Sequence, residues 1–339
     1  MQEPPLRDGG RESVQSLLEM RMRNDPDTSE TLKKLSEAFA FAEELRRNGR
    51  LKEVEGFLGQ LIAVMPNSAE LHFMLGEVRN DQHRTTEAVK LFKHAVKLNP
   101  NFSAAYNKLG KILQPGCDYL ALLERFHAHL KPSTYIEIGI RHGDSLRLAR
   151  ASAILAVDPE PQIRHELSAA VRIFKETSDE FFAHHDLLVE LAGKTVDMAF
   201  IDGLHHFDQA LKDLINLERF AGKNSVFLIH DCYPVDEASS SREMSTSFWS
   251  GDVWKIVPCL RELRPDLLVF TIPTVPAGLC VVANLNPAST ILGAQFDEIV
   301  KRFIGMQYSV LDEGRAEWLN ICPNDWNEIS CRLPSRDRR

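Results

Sequence analysis

The sequence predicts two domains of different class, an all-α helical repeat followed by an α/β unit built on a doubly wound, seven-stranded sheet. Three observations carry this reading. Pro66 and Pro100 lie 34 positions apart and each closes an amphipathic stretch, as in a tandem array of helical hairpins. From Thr134 onward, short apolar runs alternate with helical stretches, the pattern of a parallel sheet covered by helices. The first of those runs ends in a glycine-bearing turn, and an acid closes the next run 19 positions after the first glycine.

In the helical part, the unit from Ala69 to Phe102 carries Leu75-Gly76 in its first helix, Ala88, Phe92 and Ala95 in its second, and then Pro100. The preceding unit has Phe41-Ala42, Val54, Leu58 and Leu61 before Pro66. A third begins with Tyr106 and Leu109-Gly110 and fades after Leu113. Small residues such as Gly76 and Ala42 let paired helices approach, and the large apolar positions fill the groove between them. This pattern resembles the tetratricopeptide repeat. Arg79 and His72 stand where that family usually has large apolar residues, so they are expected to be partly exposed. Such arrays present extended grooves, which implies self-association or docking of a protein partner.

Pro115-Gly116 breaks the helical region, residues 117–131 read as one more amphipathic helix, and Pro132-Ser133 ends it. The expected organisation is therefore a repeat domain over 1–115, a linker helix over 116–133, the α/β domain over 134–290, and a C-terminal segment over 291–339. Expected strands are Tyr135–Ile138, Ala153–Val157, Val171–Phe174, Val196–Ile201, Val226–Ile229, Leu267–Ile272 and Leu279–Ala283, with a helix around Val253–Leu263. Beyond Pro287 the pattern gives one helix, Phe296–Ile304, and then irregular chain.

Composition narrows the function classes. Of 339 residues, 44% are hydrophobic and 26% charged, ordinary values for a globular protein. A net charge of −8 supplies no basic footprint, so no nucleic-acid partner is expected. No apolar run approaches the roughly 20 residues of a membrane helix, and Met1–Gly10 has no signal-peptide pattern. A cytoplasmic protein without a membrane partner is expected. The tail Arg336-Asp337-Arg338-Arg339 reads as a solvated terminus. Six scattered cysteines without a Cys-x-x-Cys pair argue against disulfides or a zinc knuckle.

The most informative segment is Tyr135-Ile-Glu-Ile-Gly-Ile-Arg-His-Gly-Asp-Ser145, a strand, a turn and then a helix starting near Asp144 or Ser145. Gly139 permits a sharp turn and a close approach to a ligand. Gly143 opens the helix, whose free N–H groups face polar ligand atoms. The next strand ends in Asp158, placed to grip ribose hydroxyls. A dinucleotide loop would place glycine where Glu137 stands, and a carboxylate repels pyrophosphate, which disfavours a nicotinamide oxidoreductase. The Glu-x-Gly-x-x-x-Gly form instead resembles motif I of class I S-adenosylmethionine methyltransferases, which implies a Rossmann-like fold and a cationic, phosphate-free cofactor. That resemblance assigns the cofactor to Glu137, Gly139, Gly143 and Ser145 at the loop, with Asp158 on the ribose. Thr177-Ser178-Asp179 follows the third strand, where such enzymes hold polar residues near the adenine; a helix N-cap explains Ser178 or Asp179 equally well.

The fourth strand ends in Asp202-Gly203-Leu204-His205-His206 and the fifth in His230-Asp231-Cys232. Open α/β sheets place their chemistry at such carboxyl ends. Asp-Gly-x-His followed by His-Asp resembles small-molecule and sugar O-methyltransferases related to macrolide-tailoring enzymes, over roughly residues 133–285. The resemblance implies Asp202, His205 and Asp231 as catalytic residues, with His205 as general base and Asp202 also beside the cofactor. It further implies a divalent cation, Mg²⁺ or Mn²⁺, on Asp202 and Asp231 with His230. Relatives often carry Glu-Asp on the fifth strand, and His230 replaces that Glu. A polar loop, Asp236–Ser247, precedes Gly251-Asp252, read as the turn and N-cap of the next helix, and Trp254, read as core or acceptor pocket. The function implied is methyl transfer to a hydroxyl of a small molecule or sugar. The alternative is an interaction scaffold whose methyltransferase-like domain has lost activity.

Overall fold

The structure is a computed structural model and describes residues 28–334, so Met1–Gly10 and the basic C-terminal residues lie outside it. Two compact units divide at Ile112 and Leu113.

The first unit is helical, with antiparallel pairs Thr28–Arg47/Leu51–Val64 and Ala69–Asp81/Thr85–Leu98, then Ser103–Leu113. Its core holds Phe41, Ala42, Val54, Leu58 and Leu61, positions of the repeat pattern, together with Ala38 and Leu71. A Cβ on Gly76 would sit 2.7 Å from Phe92 Cε1, so glycine is what lets that aromatic pack against the helix backbone. Arg79 and His72 are half-buried, as expected of polar residues at these positions. Arg79 pairs with Glu55 at 2.5 Å, and His72 Nε2 lies 2.8 Å from the Pro66 carbonyl oxygen.

The second unit holds a seven-stranded sheet in the order β3-β2-β1-β4-β5-β7-β6. The strands are β1 (Thr134–Ile138), β2 (Ala153–Val157), β3 (Val171–Phe174), β4 (Val196–Ile201), β5 (Ala221–His230), β6 (Leu268–Ile272) and β7 (Leu279–Ala283). β1 to β5 are parallel, while β7 runs antiparallel to both β5 and β6. Alternate residues of the central strands feed two cores, one on each face. Ile136, Ile138, Ala199, Ile201, Phe227 and Ile229 pack on the face covered by Phe207–Glu218 and Ile256–Leu263. Tyr135, Met198, Phe200, Val226 and Leu228 pack on the other, under Tyr119–Leu130 and Trp326–Arg332. Burial on both faces is why these strands read as continuous apolar runs.

Three expectations need correction. β5 starts at Ala221, five positions before Val226, because Ala221 pairs with Val196 and the register then shifts across the mostly polar stretch before Val226 pairs with Met198. No α-helix follows the β1 turn; only a 3₁₀ turn, Leu146–Leu148, forms. The loop through Arg141 and Gly143, both at positive φ, consumes the chain before β2 begins. Beyond Pro287 the described residues hold four helices, Ile291–Ala294, Phe296–Ile304, Ser309–Trp318 and Trp326–Arg332. Gly314 inside the third and Pro323 before the fourth break the sequence periodicity. That tail is tied to the sheet, with Cys322 N–H donating to the Thr271 carbonyl at 2.9 Å.

Candidate active site

A cleft of about 740 Å³ opens at the carboxyl ends of β1, β2, β4 and β5. Ile140, Arg141, Ser145, Asp158, Ser178, Asp179, Asp202, His205, His230 and Asp231 all line it. Gly139 lines it as well, whereas Glu137 and Gly143 are not among the lining residues.

The β1 side is a loop held by its own carboxylates. Asp158 Oδ2 accepts the N–H groups of Ile140 and Arg141, each at 2.9 Å, and Oδ1 accepts that of Glu160 at 2.8 Å. Three backbone donors therefore already engage the acid expected to grip ribose. Glu137 is fully buried, accepting from the Tyr135 hydroxyl at 2.7 Å and from Ser145 Oγ. Burial drives its pKa up, the two hydroxyls pull it partway back, and it settles at about 8, so Glu137 is largely neutral at pH 7. Gly139 has φ +82°, and a Cβ there would overlap the Asp202 carbonyl oxygen. This glycine thus allows the β1 and β4 turns to nest, a tighter constraint than the expected approach to a ligand. Gly143, at φ +78°, packs under Ile163.

On the β3 side, Thr177 is the N-cap, with a reciprocal capping box to Glu180, so neither Ser178 nor Asp179 caps. Asp179 pairs with Lys212 at 2.6 Å and Ser178 Oγ accepts from Gln209 at 3.0 Å. Behind them Asp213, 1% exposed, also borders the cleft; burial raises its carboxyl to about 7 against the hydrogen bonds of Ser178 and Gln209.

The β4 and β5 ends bring four ionisable side chains together. His230 Nδ1 donates to Asp202 Oδ1 at 3.1 Å and lies 3.5 Å from Asp231 Oδ2. His205 Nε2 lies 3.5 Å from Asp202 Oδ1, and its Nδ1 is 3.1 Å from Asp231 Oδ2 but out of hydrogen-bond alignment. Burial favours neutral imidazoles and neutral acids, and here the mutual attraction overrides it. His205 rises to about 9 under the Asp231 and Asp202 carboxylates. His230 rises well above its ordinary range under the same two acids, and Asp202 falls well below the carboxylate range under His230 and His205. Both His205 (φ 56°) and Asp231 (φ 63°) adopt left-handed backbone, strain that such residues tolerate only where the surroundings over-determine it.

Those surroundings come from the segment after β5. Trp249 lies over the His205 ring, centroids 5.2 Å apart and planes 20° apart, with its indole N–H donated to the Ser241 carbonyl at 2.6 Å. Gly251, φ +61°, presses against the His205 carbonyl, where a Cβ would overlap the oxygen. Asp252 makes no side-chain cap to its own turn. Its Oδ1 instead accepts the Phe207 N–H at 2.8 Å, capping the helix Phe207–Glu218 from outside, where His206 occupies the N-cap position without a side-chain bond. Trp254 is 1% exposed and belongs to the core, not to the cleft. Sequence reading missed Trp249, Gln209, Asp213 and Tyr119, all at the cleft. Only the length of the polar loop before Trp249 hinted at one of them.

One ligand atom each from Asp202, His205 and Asp231 lies within 4.8 Å of the others, so this donor set fits a divalent cation. His205 stands in that grouping where the sequence suggested His230, whose Nδ1 is engaged by Asp202.

Residues 136–232 match a family model described as a methyltransferase domain. No curated protein matches the chain. Solved structures similar to it include cofactor-bound Rv0187 from MTB, at 13% identity over 54% of this chain and 89% of that one, with a TM-score of 0.40. Another is the O-methyltransferase TomG from Streptomyces achromogenes, involved in tomaymycin synthesis and solved with SAM, at 12% identity over 58% and 96%, TM-score 0.39. A third is the SAH-bound methyltransferase PaMTH1 from Podospora anserina, at 14% identity over 49% and 78%, TM-score 0.37. The matched segment spans β1 to the end of β5, so the likeness to a methyltransferase domain falls on the parallel part of a sheet of Rossmann-like order.

Proposed function

We propose that the α/β unit transfers the methyl group of S-adenosylmethionine to a hydroxyl of a small molecule or sugar. The observation that carries this reading is the convergence of Asp202, His205, His230 and Asp231 on one wall of the cleft. A hydroxyl becomes a competent nucleophile when a base removes its proton, and His205 is the candidate base. Its proton is held tightly at neutral pH by two carboxylates, so the base form grows as pH rises toward about 9. Asp202 and Asp231 orient both imidazoles and offset their charge. Were a divalent cation held by Asp202, His205 and Asp231 instead, His205 would be a ligand and not the base, and the ion would do the activating by lowering the pKa of the acceptor hydroxyl. Asp158 fixes the loop Ile140–Arg141 that the cofactor's ribose would meet. Ser178 and Asp179 stand where the adenine would lie. Trp249, stacked on the His205 ring, forms the adjoining wall, where it would position the acceptor and limit water.

Titration calorimetry with S-adenosylhomocysteine and with NAD tests the cofactor assignment. Binding of the first and not the second is expected, and the reverse would end the methyltransferase reading. We further propose that the repeat unit mediates self-association or partner docking. A chain shortened to start at Leu113 should keep cofactor affinity and change its mass in light scattering; loss of binding in a folded shortened chain would refute the separation. Among the described residues no helix is long and apolar enough to cross a membrane.

A further inference from the structure

Tyr119 lies outside the segment matched by the family model, at the start of the helix Tyr119–Leu130, yet its side chain forms part of the cleft wall. Its placement is fixed from several sides. The Tyr119 N–H donates to the Val275 carbonyl at 3.0 Å, and Asp118 caps the helix through the Ala121 N–H at 2.8 Å. The preceding Cys117 carbonyl accepts from Thr274 Oγ1 at 2.7 Å and from Asn324 Nδ2 at 2.8 Å. The phenol ring packs on His230, centroids 4.5 Å apart, and stacks on Phe200 at 6.2 Å. It is therefore a preorganised aromatic surface beside the imidazole that bonds Asp202.

The cleft around it is acidic. Asp144, Asp158, Asp179, Asp202, Asp213 and Asp231 line it, and they outnumber the cations there, Arg141 and the imidazoles of His205 and His230. Such a cavity suits a cationic ligand. An ammonium group satisfies itself by donating hydrogen bonds to these acids. A sulfonium has no N–H to donate, so the group able to stabilise it at contact is an electron-rich ring face. Burial, then Asp202, Glu137, Asp144 and Asp231, hold the Tyr119 phenol well above its ordinary pKa, so the ring stays neutral throughout the working range.

We propose that Tyr119 is a specificity-determining residue whose ring face contacts the sulfonium of the cofactor and so distinguishes the charged methyl donor from its neutral product. This rests on the methyltransferase reading above. Displacing charged donor from a π face costs what a cation–π contact is worth, whereas the uncharged thioether of the product loses only packing. The ring would thereby favour exchange of spent S-adenosylhomocysteine for fresh donor.

The test is the dissociation constant of the full chain for S-adenosylmethionine and for S-adenosylhomocysteine, measured in parallel on wild type, Tyr119→Leu and Tyr119→Phe. Tyr119→Leu is expected to weaken the donor about tenfold and the product less than about threefold, the scale of one partly desolvated cation–π contact. Tyr119→Phe should leave both within about threefold, because the ring face remains. Equal losses for the two ligands in Tyr119→Leu, or a Phe variant as impaired as the Leu variant, would overturn the proposal. Should Tyr119→Leu fail to fold, stepwise ring fluorination of phenylalanine at position 119 keeps the shape and drains the π face. Donor affinity must then fall with each fluorine while product affinity stays level, and a level donor series overturns the proposal equally. Failure of the wild type to bind either ligand would mark a different failure, that of the cofactor reading itself.

Discussion

The two ends of the cleft use carboxylates in opposite ways. At the β1 end, Glu137 and Asp158 are engaged within the chain, Glu137 by two hydroxyls and Asp158 by three backbone N–H groups. At the β4 and β5 ends, Asp202 and Asp231 meet imidazoles instead and face the cavity. A buried acid given only neutral donors moves toward neutrality, as Glu137 does, whereas one given cations stays ionised, as Asp202 does. The first arrangement builds a rigid loop. The second leaves charge available for chemistry. Spacing along the chain finds both kinds of acid and does not distinguish them.

The largest effects should come from the ionised end. His205→Ala is expected to cut methyl transfer by about 10²–10⁴ while leaving cofactor affinity nearly unchanged. In the wild type, turnover should climb between pH 6.5 and about 9 as His205 sheds its proton. Stability should run the other way. A histidine whose folded pKa is raised contributes stability fully present below its unfolded pKa, and this is lost as pH rises through the folded value. Parallel rate and melting profiles that rise together through that window would remove His205 as the base.

Next in size is the seam where the two ends touch. Gly139→Ala forces a side chain into left-handed backbone and into the Asp202 carbonyl. Urea unfolding should show a loss of about 2–4 kcal/mol, and a near-neutral result would mean the β1 and β4 turns are not nested as described. Asp158→Ala comes after it, weakening S-adenosylhomocysteine binding by about 1–3 kcal/mol through release of the loop. Asp158→Asn should recover part of this, since its amide oxygen still accepts the Ile140 and Arg141 N–H groups. Wild-type affinity in a folded Asp158→Ala protein would leave the loop without a role in binding.

How much of this was legible in the sequence follows from the range of each interaction. The strands and the acids that end them are local patterns, and six of the seven strands start within one position of expectation. The cluster of Asp202, His205 and Asp231 was legible because parallel neighbours align their carboxyl ends. Tyr119 and Trp249 were not, since each reaches the cleft through tertiary packing, on Val275 and Phe200 in one case and on His205 in the other. The inward turn of Glu137 was hidden for a related reason. Its partners Tyr135 and Ser145 are close in sequence, but which side of the loop Ser145 faces depends on the Asp158 clamp and on Gly143.

The smallest expected effect isolates the β1 end. Glu137→Gln preserves size and keeps an amide oxygen for one of the two hydroxyls, so at pH 7 it should cost no more than about 1 kcal/mol. Its value lies in the pH dependence. Glu137 has a folded pKa of about 8 against an ordinary 4.5, so the native state binds this proton more tightly than the unfolded chain. The stability it contributes is fully present below about 4.5 and drains away as pH rises through about 8. Glutamine does not titrate. The difference in unfolding free energy between wild type and Glu137→Gln should therefore shift steadily in favour of the variant from pH 4.5 to 8, then level off. His205 titrates over part of the same range, but it is present in both proteins and cancels in the difference. A flat difference across that window would show that Glu137 is ionised in the folded protein, and the contrast between the two ends of the cleft would not hold.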